Sequence, residues 1–457
     1  MITYRFNKLS IRKRAESLQI DRTIIYGVIT KFWTLITGPV SMFLVISYFS
    51  SEIQGYYYTF GTVLALRIFI ETGFSSVIIA FASHEWSKLH LDKKGYIIGD
   101  SQALSRLVSL ARIFFRWQFI GGFIALFGIG VGGYFFFAMD PASSDVNWKL
   151  PWFFLCVLTI LNMWIVPAQF ILEGCNQIRQ IYFYRLITGV FLTIGTWIAI
   201  MMGAELWASV VNATIGLISL IIFILFKYKN FFIPMFTYTI SSVFNWRTDL
   251  FPMQWRIALS WISGYFLSSF FTPLIFHYQG SVAAGQFGMT WMLFTAISSL
   301  SGLWIAPKIP QFGMFIAKKD YLSLDTLFFK SAKISIAIFG LGALALWLII
   351  YGANHLDYSW AVKLSVRLLS PLTAGIFLIG MFFVYFSGPF SSYLRAHGKE
   401  PMMWVSLLSA LFVSLSSWIL IQFYGMLGLS IAYAVVGIFF TFPSVLIIWK
   451  KFRAKWH

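Results

Sequence analysis

Apolar stretches of about 20 residues recur from one end of this chain to the other, and each is long enough to cross a lipid bilayer as a helix. Of its 457 residues, 59% are hydrophobic and 11% are charged, whereas a soluble domain carries about 25% charged residues. Backbone polar groups in lipid must be satisfied within the segment itself, so runs of this length predict α-helices. The predicted fold class is therefore an all-α, polytopic membrane protein. Windowed hydropathy places about twelve transmembrane helices, near residues 24–49, 56–83, 113–138, 151–173, 182–202, 206–226, 254–277, 284–307, 332–352, 367–390, 402–424 and 427–449.

Lysines and arginines lie in alternate segments between these spans, and this pattern predicts the orientation of the chain. The basic segments contain Arg5, Lys8, Arg12, Lys13, Arg14, Arg22, Lys88, Lys93, Lys94, Arg106, Arg179, Lys227, Lys229, Arg247, Lys318, Lys319, Lys330, Arg395, Lys399 and the tail KKFRAKWH. The opposite connections, such as SSEIQG and GANHLDYSW, hold acids and few bases. By the positive-inside rule, both termini face the cytoplasm. The net charge of +18 follows from this pattern, and no nucleic-acid partner is predicted.

The spans divide into two halves of six at the polar segment near 227–252. We predict two pseudo-symmetric six-helix bundles, an N-terminal one over residues 1–226 and a C-terminal one over 227–457. Two chain ends on one side of the membrane agree with an even number of spans.

Similar segments occupy corresponding places in the two halves. GAELWASVVNATIG (203–216) resembles GMLGLSIAYAVVG (425–437), and QGYYYTFG (54–61) corresponds in place to VAAGQFG (282–288). Together these matches favour an internal repeat of the kind that transporters use for alternating access.

The loops argue against several catalytic functions. The outward connections are too short to house a catalytic domain, and the sequence contains no G-x-x-x-x-G-K-[ST] motif for ATP hydrolysis. Cys156 and Cys175 lack the spacing of a metal site. No catalytic residue, metal or cofactor is predicted. A membrane-embedded glycosyltransferase or polysaccharide polymerase is the less favoured alternative, because such an enzyme should have a larger outward loop with catalytic acids or arginines.

Four ionisable residues within the predicted spans are the candidate functional residues: Lys31, Arg67, Glu71 and Arg256. A charged group at membrane depth costs about 2.5–3.5 kcal/mol on insertion scales, so such residues usually serve a function. Structural alternatives exist for each of them. Arg67 and Glu71 are spaced to pair on one helix face, while Lys31 and Arg256 could extend to the interface, Arg256 beside Trp255.

Three bases and one acid give these spans an excess of positive charge. A cavity lined in this way favours anions, because fields are focused between low-dielectric walls. Lys31, Arg67 and Arg256 are therefore predicted to bind or attract an anionic substrate. Glu71 is the predicted proton or sodium coupling site, since its protonation would respond to the proximity of Arg67.

The inward loop before the third span contains SQALSRLVSLARIFFRW, which predicts a helix capped by Ser101. Its basic residues Arg106, Arg112 and Arg116 are expected to project toward inner-leaflet phosphates.

Three long segments carry a resemblance to a known family. SSEIQGYYYTFGTVLALRIFIETGFSSVIIAFASHEW resembles the first two spans of bacterial polysaccharide and O-antigen flippases of the Wzx type. LFPMQWRIALSWISGYFLSSFFTPLIFHYQGSVAAGQFGMTW is similar to the start of their second half, and FILEGCNQIRQIYFYRL to their turn between spans four and five. These flippases belong to the multidrug/oligosaccharidyl-lipid/polysaccharide exporter superfamily.

The resemblance implies a V-shaped pair of six-helix bundles around a cationic lumen in the bacterial cytoplasmic (inner) membrane. It implies transport of an undecaprenyl-diphosphate-linked oligosaccharide, an O-antigen or capsule repeat unit, from the inner to the outer leaflet, driven by ion antiport. The partners would be this lipid-linked diphosphate, membrane lipids and other polysaccharide-assembly proteins. The alternative within the superfamily is a proton- or sodium-coupled antiporter of drugs or organic cations.

Overall fold

A computed structural model describes residues 22–397 and 401–456, almost all of them helical. The predicted basic residues Arg5, Lys8, Arg12, Lys13, Arg14 and Lys399 lie outside these ranges. The α-helices are α1 Arg22–Tyr48, α2 Ser51–Leu64, α3 Ile68–Glu71, α4 Phe74–Trp86, α5 Ser101–Ala125, α6 Gly132–Ala138, α7 Lys149–Gly174, α8 Ile178–Met201, α9 Trp207–Lys227, α10 Lys229–Thr237, α11 Phe251–Ser268, α12 Phe271–Gly302, α13 Ile309–Ala317, α14 Tyr321–His355, α15 Ser359–Arg367, α16 Pro371–Arg395, α17 Met403–Val436 and α18 Phe442–Trp456.

Nine helical stretches of the described chain are long and apolar enough to cross a membrane, and the bent run from α2 to α4 adds a tenth. Two of the nine, Trp246–Ala317 and Met403–Trp456, each contain two predicted spans. They are kinked at Gly280 (φ 81°) and Gly425 (φ 59°), conformations that favour glycine. Each kink falls between two of the predicted spans, so the predicted spans on its two sides are joined in one helical stretch. The predicted all-α, polytopic membrane fold is confirmed.

A short β-hairpin lies between α4 and α5, where the sequence analysis expected no strand. Strand β1 (Leu89–Leu91) pairs antiparallel with β2 (Ile97–Gly99). The Asp92 carboxylate accepts hydrogen bonds from two backbone amides of the turn, at 2.9 and 2.8 Å. Gly95 supplies the positive φ of 85° that the turn requires.

The chain packs into two compact units, each assembled from separate segments. Unit 1 comprises the described residues of Met1–Ser41, Ile70–Val131 and Leu150–Ile257, and unit 2 those of Met42–Phe69, Gly132–Lys149 and Ala258–His457. The sequence analysis predicted two pseudo-symmetric bundles that divide between residues 226 and 227. The grouping of segments into compact units does not test whether two halves of the chain are related by symmetry. That division stays a prediction.

Helix α5 is central to unit 1. Asp100, not the predicted Ser101, caps it: the Asp100 carboxylate accepts a hydrogen bond from the Ala103 amide at 3.0 Å. One face of α5 is buried in the core through Leu107 and Phe114, which are both 0% exposed. A well-capped helix with an apolar face of this kind provides a rigid support for the segments around it.

Helix α5 also holds the segment that joins α10 to α11. The Ser105 hydroxyl accepts hydrogen bonds from the backbone amides of Ser241 and Ser242 at 2.8 and 2.9 Å. One turn later, the Ser109 hydroxyl accepts one from the Phe244 amide at 3.2 Å. The polar segment predicted to separate the two halves is thus fastened along a helix of unit 1.

Two of the three arginines predicted to face lipid phosphates contact other segments of the protein. Arg106 lies 2.9 Å from the carboxylate of Glu85, which is buried. Arg112 donates hydrogen bonds to the carbonyl oxygens of Met235 and Tyr238 at 2.8 and 2.6 Å. The guanidinium groups of both residues therefore contact carbonyls and a carboxylate of the protein, and their predicted contact with lipid phosphates stays a prediction.

In unit 2, a polar cluster ties α14, α16 and α18 together. The Tyr393 hydroxyl donates to Asp325 at 2.6 Å, and Arg453 Nε donates to the same carboxylate at 3.1 Å. Phe328 and Trp449 enclose the cluster from the apolar side, with ring centroids 6.1 Å apart. The predicted cytoplasmic ends of these helices are therefore fixed to one another.

Candidate functional site: the interrupted second span

The second predicted span is interrupted at the two residues that the sequence analysis selected. Helix α2 gives way to a 3-10 turn, Ala65–Arg67, so Arg67 ends that turn. The short helix α3 follows and ends at Glu71. Thr72 (φ 46°) and Gly73 (φ 66°) then have left-handed backbone conformations before α4 begins, and the whole span bends by 48°. Discontinuous membrane helices of this kind commonly form transporter binding sites.

Side chains from two other elements of unit 1 stabilise the interruption. Gln254, near the start of α11, donates a hydrogen bond to the Thr72 hydroxyl at 2.8 Å. The Trp246 indole donates to the Gln254 amide oxygen, also at 2.8 Å. From α5, the Trp117 indole donates to the carbonyl of Ile70 at 2.9 Å. The bond from Trp117 satisfies a backbone carbonyl at the break, and the bonds through Gln254 hold the Thr72 side chain.

Gly73 is required at the break for two reasons. Its φ of 66° is unfavourable for residues with a side chain, and a Cβ there would lie 2.4 Å from Cγ2 of Ile257. Helix α11 thus packs directly on the backbone of the break. The break in the helix is therefore part of the packing of unit 1.

The Gln254–Thr72 hydrogen bond brings together the two segments that carry Glu71 and Arg256. Glu71 precedes Thr72 and is half-buried, while Arg256 follows Gln254 by two residues and is exposed. The Arg256 guanidinium lies 5.5 Å from the ring centroid of Trp255. This contact is compatible both with binding of an anionic substrate and with extension of the side chain to the membrane interface. Substrate binding by Arg256 and ion coupling by Glu71 stay predictions.

Arg67 belongs to unit 2, where it is half-buried at the end of the 3-10 turn. It precedes the interruption on the chain, whereas Glu71 lies in unit 1. The alternative in which the two neutralise each other assumed one regular helix. The 3-10 turn ends at Arg67 and the residues from Ile68 to Glu71 are α-helical, so the i, i+4 spacing is kept and this alternative stays open.

Lys31 lies on α1, which packs against α8. The Trp33 indole donates to the Thr193 hydroxyl at 3.3 Å, and the Trp197 indole donates to the Ser41 hydroxyl at 2.8 Å. Lys31 itself is exposed beside this contact. Its predicted role in substrate binding stays a prediction.

The sequence analysis missed a charge pair within the predicted fourth and fifth spans. Arg185 of α8 forms an ion pair and hydrogen bond with Glu173 of α7, whose side chain is 15% exposed. With its amide oxygen turned toward Arg185, Gln169 accepts two further hydrogen bonds at 2.8 and 3.0 Å. Both charged residues fall inside apolar runs of the sequence, and this position could have identified them as candidate residues. The pair adds one acid and one base, so it leaves the predicted excess of positive charge unchanged.

Helices α2 and α12 cross in close contact within unit 2, at their predicted outward ends. A Cβ on Gly55 would lie 1.9 Å from the carbonyl oxygen of Ser281, and one on Gly285 would lie 2.9 Å from the Gly55 amide nitrogen. The backbones therefore touch, as in other small-residue crossings in membranes. The segments around Gly55 and Gly285 are the ones that the repeat argument matched.

Polar side chains reinforce this crossing. Gln54, 1% exposed, donates to the Gly285 carbonyl at 2.8 Å. The Arg367 guanidinium donates to Gln54 at 3.2 Å and to the carbonyl of Phe49. Arg367 ends α15, outside the membrane-spanning helices, and burial lowers the pKa of its guanidinium, partly offset by the charge of Glu52. The sequence analysis did not select these residues, because their contacts join segments 231 to 318 positions apart.

A polar cavity of about 460 Å³ adjoins the same region of unit 2, lined by Glu52, Asp140 and His277 among others. The buried Tyr56 hydroxyl donates to Asp140 at 3.0 Å. Within the described residues, no group of three or more His, Cys, Asp or Glu side chains is arranged to hold a metal ion.

Neither a protein-family model nor a curated protein matches this sequence. Several solved structures match its fold. An inward-facing multidrug resistance MATE family transporter of the MOP superfamily aligns with a TM-score of 0.64 and 12% identity, over 95% of this chain and 99% of that one. The lipid II flippase MurJ, in an inward closed conformation, aligns with a TM-score of 0.58 and 15% identity, over 93% and 87%.

The Vibrio cholerae MATE transporter VcmN, crystallised as a point mutant, aligns with a TM-score of 0.54 and 14% identity, over 95% and 98% of the two chains. At these identities the likeness establishes the fold. The chain has the polytopic fold shared by MATE transporters and MurJ, and the Wzx-type resemblance within that superfamily stays a prediction.

Proposed function

We propose that this protein is a membrane transporter that moves a lipid-linked oligosaccharide diphosphate from the inner to the outer leaflet by alternating access. The observation that carries the proposal is the interruption of the second span at Arg67 and Glu71. An interrupted helix places ionisable side chains and backbone dipoles at membrane depth. The fold shared with a lipid flippase supports the same conclusion.

In this proposal the basic residues Arg67, Arg256 and Lys31 attract the diphosphate, whose two phosphates carry the negative charge of the substrate. Charge-assisted hydrogen bonds from arginine to phosphate are strong and directional. Glu71 binds the coupling proton or sodium ion. The lipid tail stays in the bilayer, so the protein needs to shield only the polar headgroup and sugars.

An antiporter of drugs or organic cations is the second candidate, and the MATE transporters among the structural matches favour it. The two candidates differ in the sign of charge that the site must accommodate. An organic cation would be repelled by an excess of bases, whereas a diphosphate would be attracted.

Reconstituted vesicles distinguish the two candidates. We expect the protein to translocate a fluorescent polyprenyl-diphosphate oligosaccharide. The double variant Arg67→Gln/Arg256→Gln should reduce the initial rate at least tenfold, since each lost charge-assisted contact is worth roughly 1 kcal/mol or more. Arg247→Gln, which removes an exposed charge close to Arg256 in sequence, is the matched control. Transport of a cationic dye without transport of the diphosphate would favour the antiporter.

We further expect the protein in a bacterial cytoplasmic membrane, next to the proteins of polysaccharide assembly. Deleting the gene should cause a lipid-linked oligosaccharide to accumulate on the cytoplasmic face. Unchanged lipid intermediates and unchanged surface glycan in the deletion strain would remove the polysaccharide substrate from the proposal.

A further inference from the structure

An apolar groove of about 730 Å³ runs along unit 1 between α5, α7, α9 and α10. Its walls include Phe119 and Ile120 of α5, Trp164 of α7, and Phe236 of α10. Phe119 is 51% exposed, Ile120 60% and Phe236 68%. A groove with walls this apolar is shaped for a hydrocarbon chain.

The groove has two basic residues in its lining, Arg116 and Lys229, and no acidic one. Arg116 lies 22 residues before the end of the continuous helical stretch Ser101–Ala138, which is about 33 Å of helix at about 1.5 Å per residue. That length is close to the hydrocarbon thickness of a bilayer, about 30 Å, which places Arg116 at the predicted cytoplasmic interface. Lys229 begins α10, directly after α9 ends at Lys227, and therefore lies at the same interface.

Both basic side chains are available to a ligand. They are exposed, and within the described part of the chain neither makes a side-chain hydrogen bond or an ion pair. The other two arginines of α5 differ, since Arg106 and Arg112 are engaged by the protein itself. Of the three arginines predicted to point toward lipid phosphates, Arg116 is the one without such a contact in the described residues.

We propose that this groove binds one anionic phospholipid of the inner leaflet. An acyl chain lies along the apolar walls, and Arg116 and Lys229 hold the phosphate. The charge complementarity selects an anionic headgroup over a zwitterionic one, because each basic residue near the surface of a membrane strengthens attraction to anionic lipid. The site is separate from the interrupted span and does not depend on the proposed substrate.

A second groove in the same molecule provides an internal comparison. It lies in unit 2 between α14 and α16, has a volume of about 850 Å³, and is lined by residues such as Leu344, Trp347 and Phe382 without any charged side chain. An apolar groove of this kind should retain lipid tails without discriminating between headgroups.

Native mass spectrometry of the purified full chain tests the proposal. We expect phosphatidylglycerol to bind at least tenfold more tightly than phosphatidylcholine of the same chains. The double variant Arg116→Gln/Lys229→Gln should lose that preference, since two basic contacts account for at least a tenfold difference. Lys318→Gln/Lys330→Gln, which removes two exposed charges elsewhere, should keep it. Equal losses in both double variants, or no preference in the native protein, would overturn the proposal.

Two further measurements identify the occupant. Ile120→Trp fills the groove and keeps both charges, so it should also weaken phosphatidylglycerol binding. Inorganic phosphate at millimolar concentration should not displace the lipid, since it lacks the acyl chain. If free phosphate displaces phosphatidylglycerol, the two basic residues form only a surface anion site. If a polyprenyl diphosphate displaces it preferentially, the groove belongs to the substrate-binding site. Either result contradicts the phospholipid assignment.

Discussion

Glu71 is the residue whose local setting most strongly suggests a function. It ends the short helix α3 immediately before two residues with left-handed backbone, in a segment held by Gln254 and Trp117. Placing an ionised carboxylate within a membrane span costs free energy, so such a residue usually has a function. Its neighbours explain how the backbone keeps this shape, and the proposed coupling role explains why a carboxylate is present.

Glu71→Gln should abolish the dependence of transport on an imposed pH gradient, because an amide cannot exchange a proton. The measurement is the initial transport rate in reconstituted vesicles with and without the gradient. Asp357→Asn, at an exposed acid in a predicted outward connection, should retain the dependence. Unaltered gradient-driven transport by Glu71→Gln would assign the residue to structure.

Arg185 and Glu173 are expected to matter for stability. Arg185→Met should lower the free energy of unfolding by roughly 2–3 kcal/mol, since it leaves a largely buried carboxylate without its charged partner. The double variant Glu173→Gln/Arg185→Met should recover much of that loss. Thermal unfolding in detergent measures both, with Arg179→Met at an exposed site of the same helix as control. If the double variant is no more stable than the single one, the pair does not act as a unit.

At the scale of elements, glycine determines where helices bend and where they touch. Gly73 permits the break in the second span, Gly280 and Gly425 kink two long helical stretches, and Gly55 and Gly285 let α2 and α12 cross at backbone contact. The sequence predicted the spans on both sides of these positions. It did not predict the break or the crossing, because each depends on a partner helix distant in sequence.

Gly55→Leu should separate α2 from α12, at a cost of about 1–3 kcal/mol, because the new side chain has no room beside Ser281. A Ser281→Cys reporter, at a site 2% exposed, should then react faster with a membrane-impermeant maleimide. The native Cys156 and Cys175 are buried and give little background. Gly61→Leu is the control on the same helix, since a Cβ there meets nothing within 4 Å. Equal labelling in both variants would contradict the close crossing.

At the scale of the whole molecule, the twelve spans and the distribution of bases predict the topology. Asp357→Cys should be labelled by an impermeant maleimide added to intact cells, whereas Lys318→Cys should react only after lysis. Both residues are exposed and lie in connections predicted to face opposite sides of the membrane. The reverse pattern of labelling would invert the orientation and place the groove at Arg116 in the outer leaflet.

The all-α class and the presence of many apolar helices long enough to cross a membrane could be predicted from the sequence. Hydropathy and charge are properties of short windows, and the length of an apolar run has to match the thickness of a bilayer whatever lies beside it. The locations of Arg67 and Glu71 within a span followed from the same windows.

Only the tertiary structure decided which partners the charged and polar side chains contact. It turned Arg106 and Arg112 toward a carboxylate and backbone carbonyls, paired Arg185 with Glu173, and interrupted the second span where Gln254 meets Thr72. Each of these outcomes depends on which segments pack together, and a polar group in an apolar environment bonds to whatever partner that packing supplies. The sequence therefore identifies the ionisable residues that lie in apolar segments. The packing of the helices decides which hydrogen bonds and ion pairs those residues form.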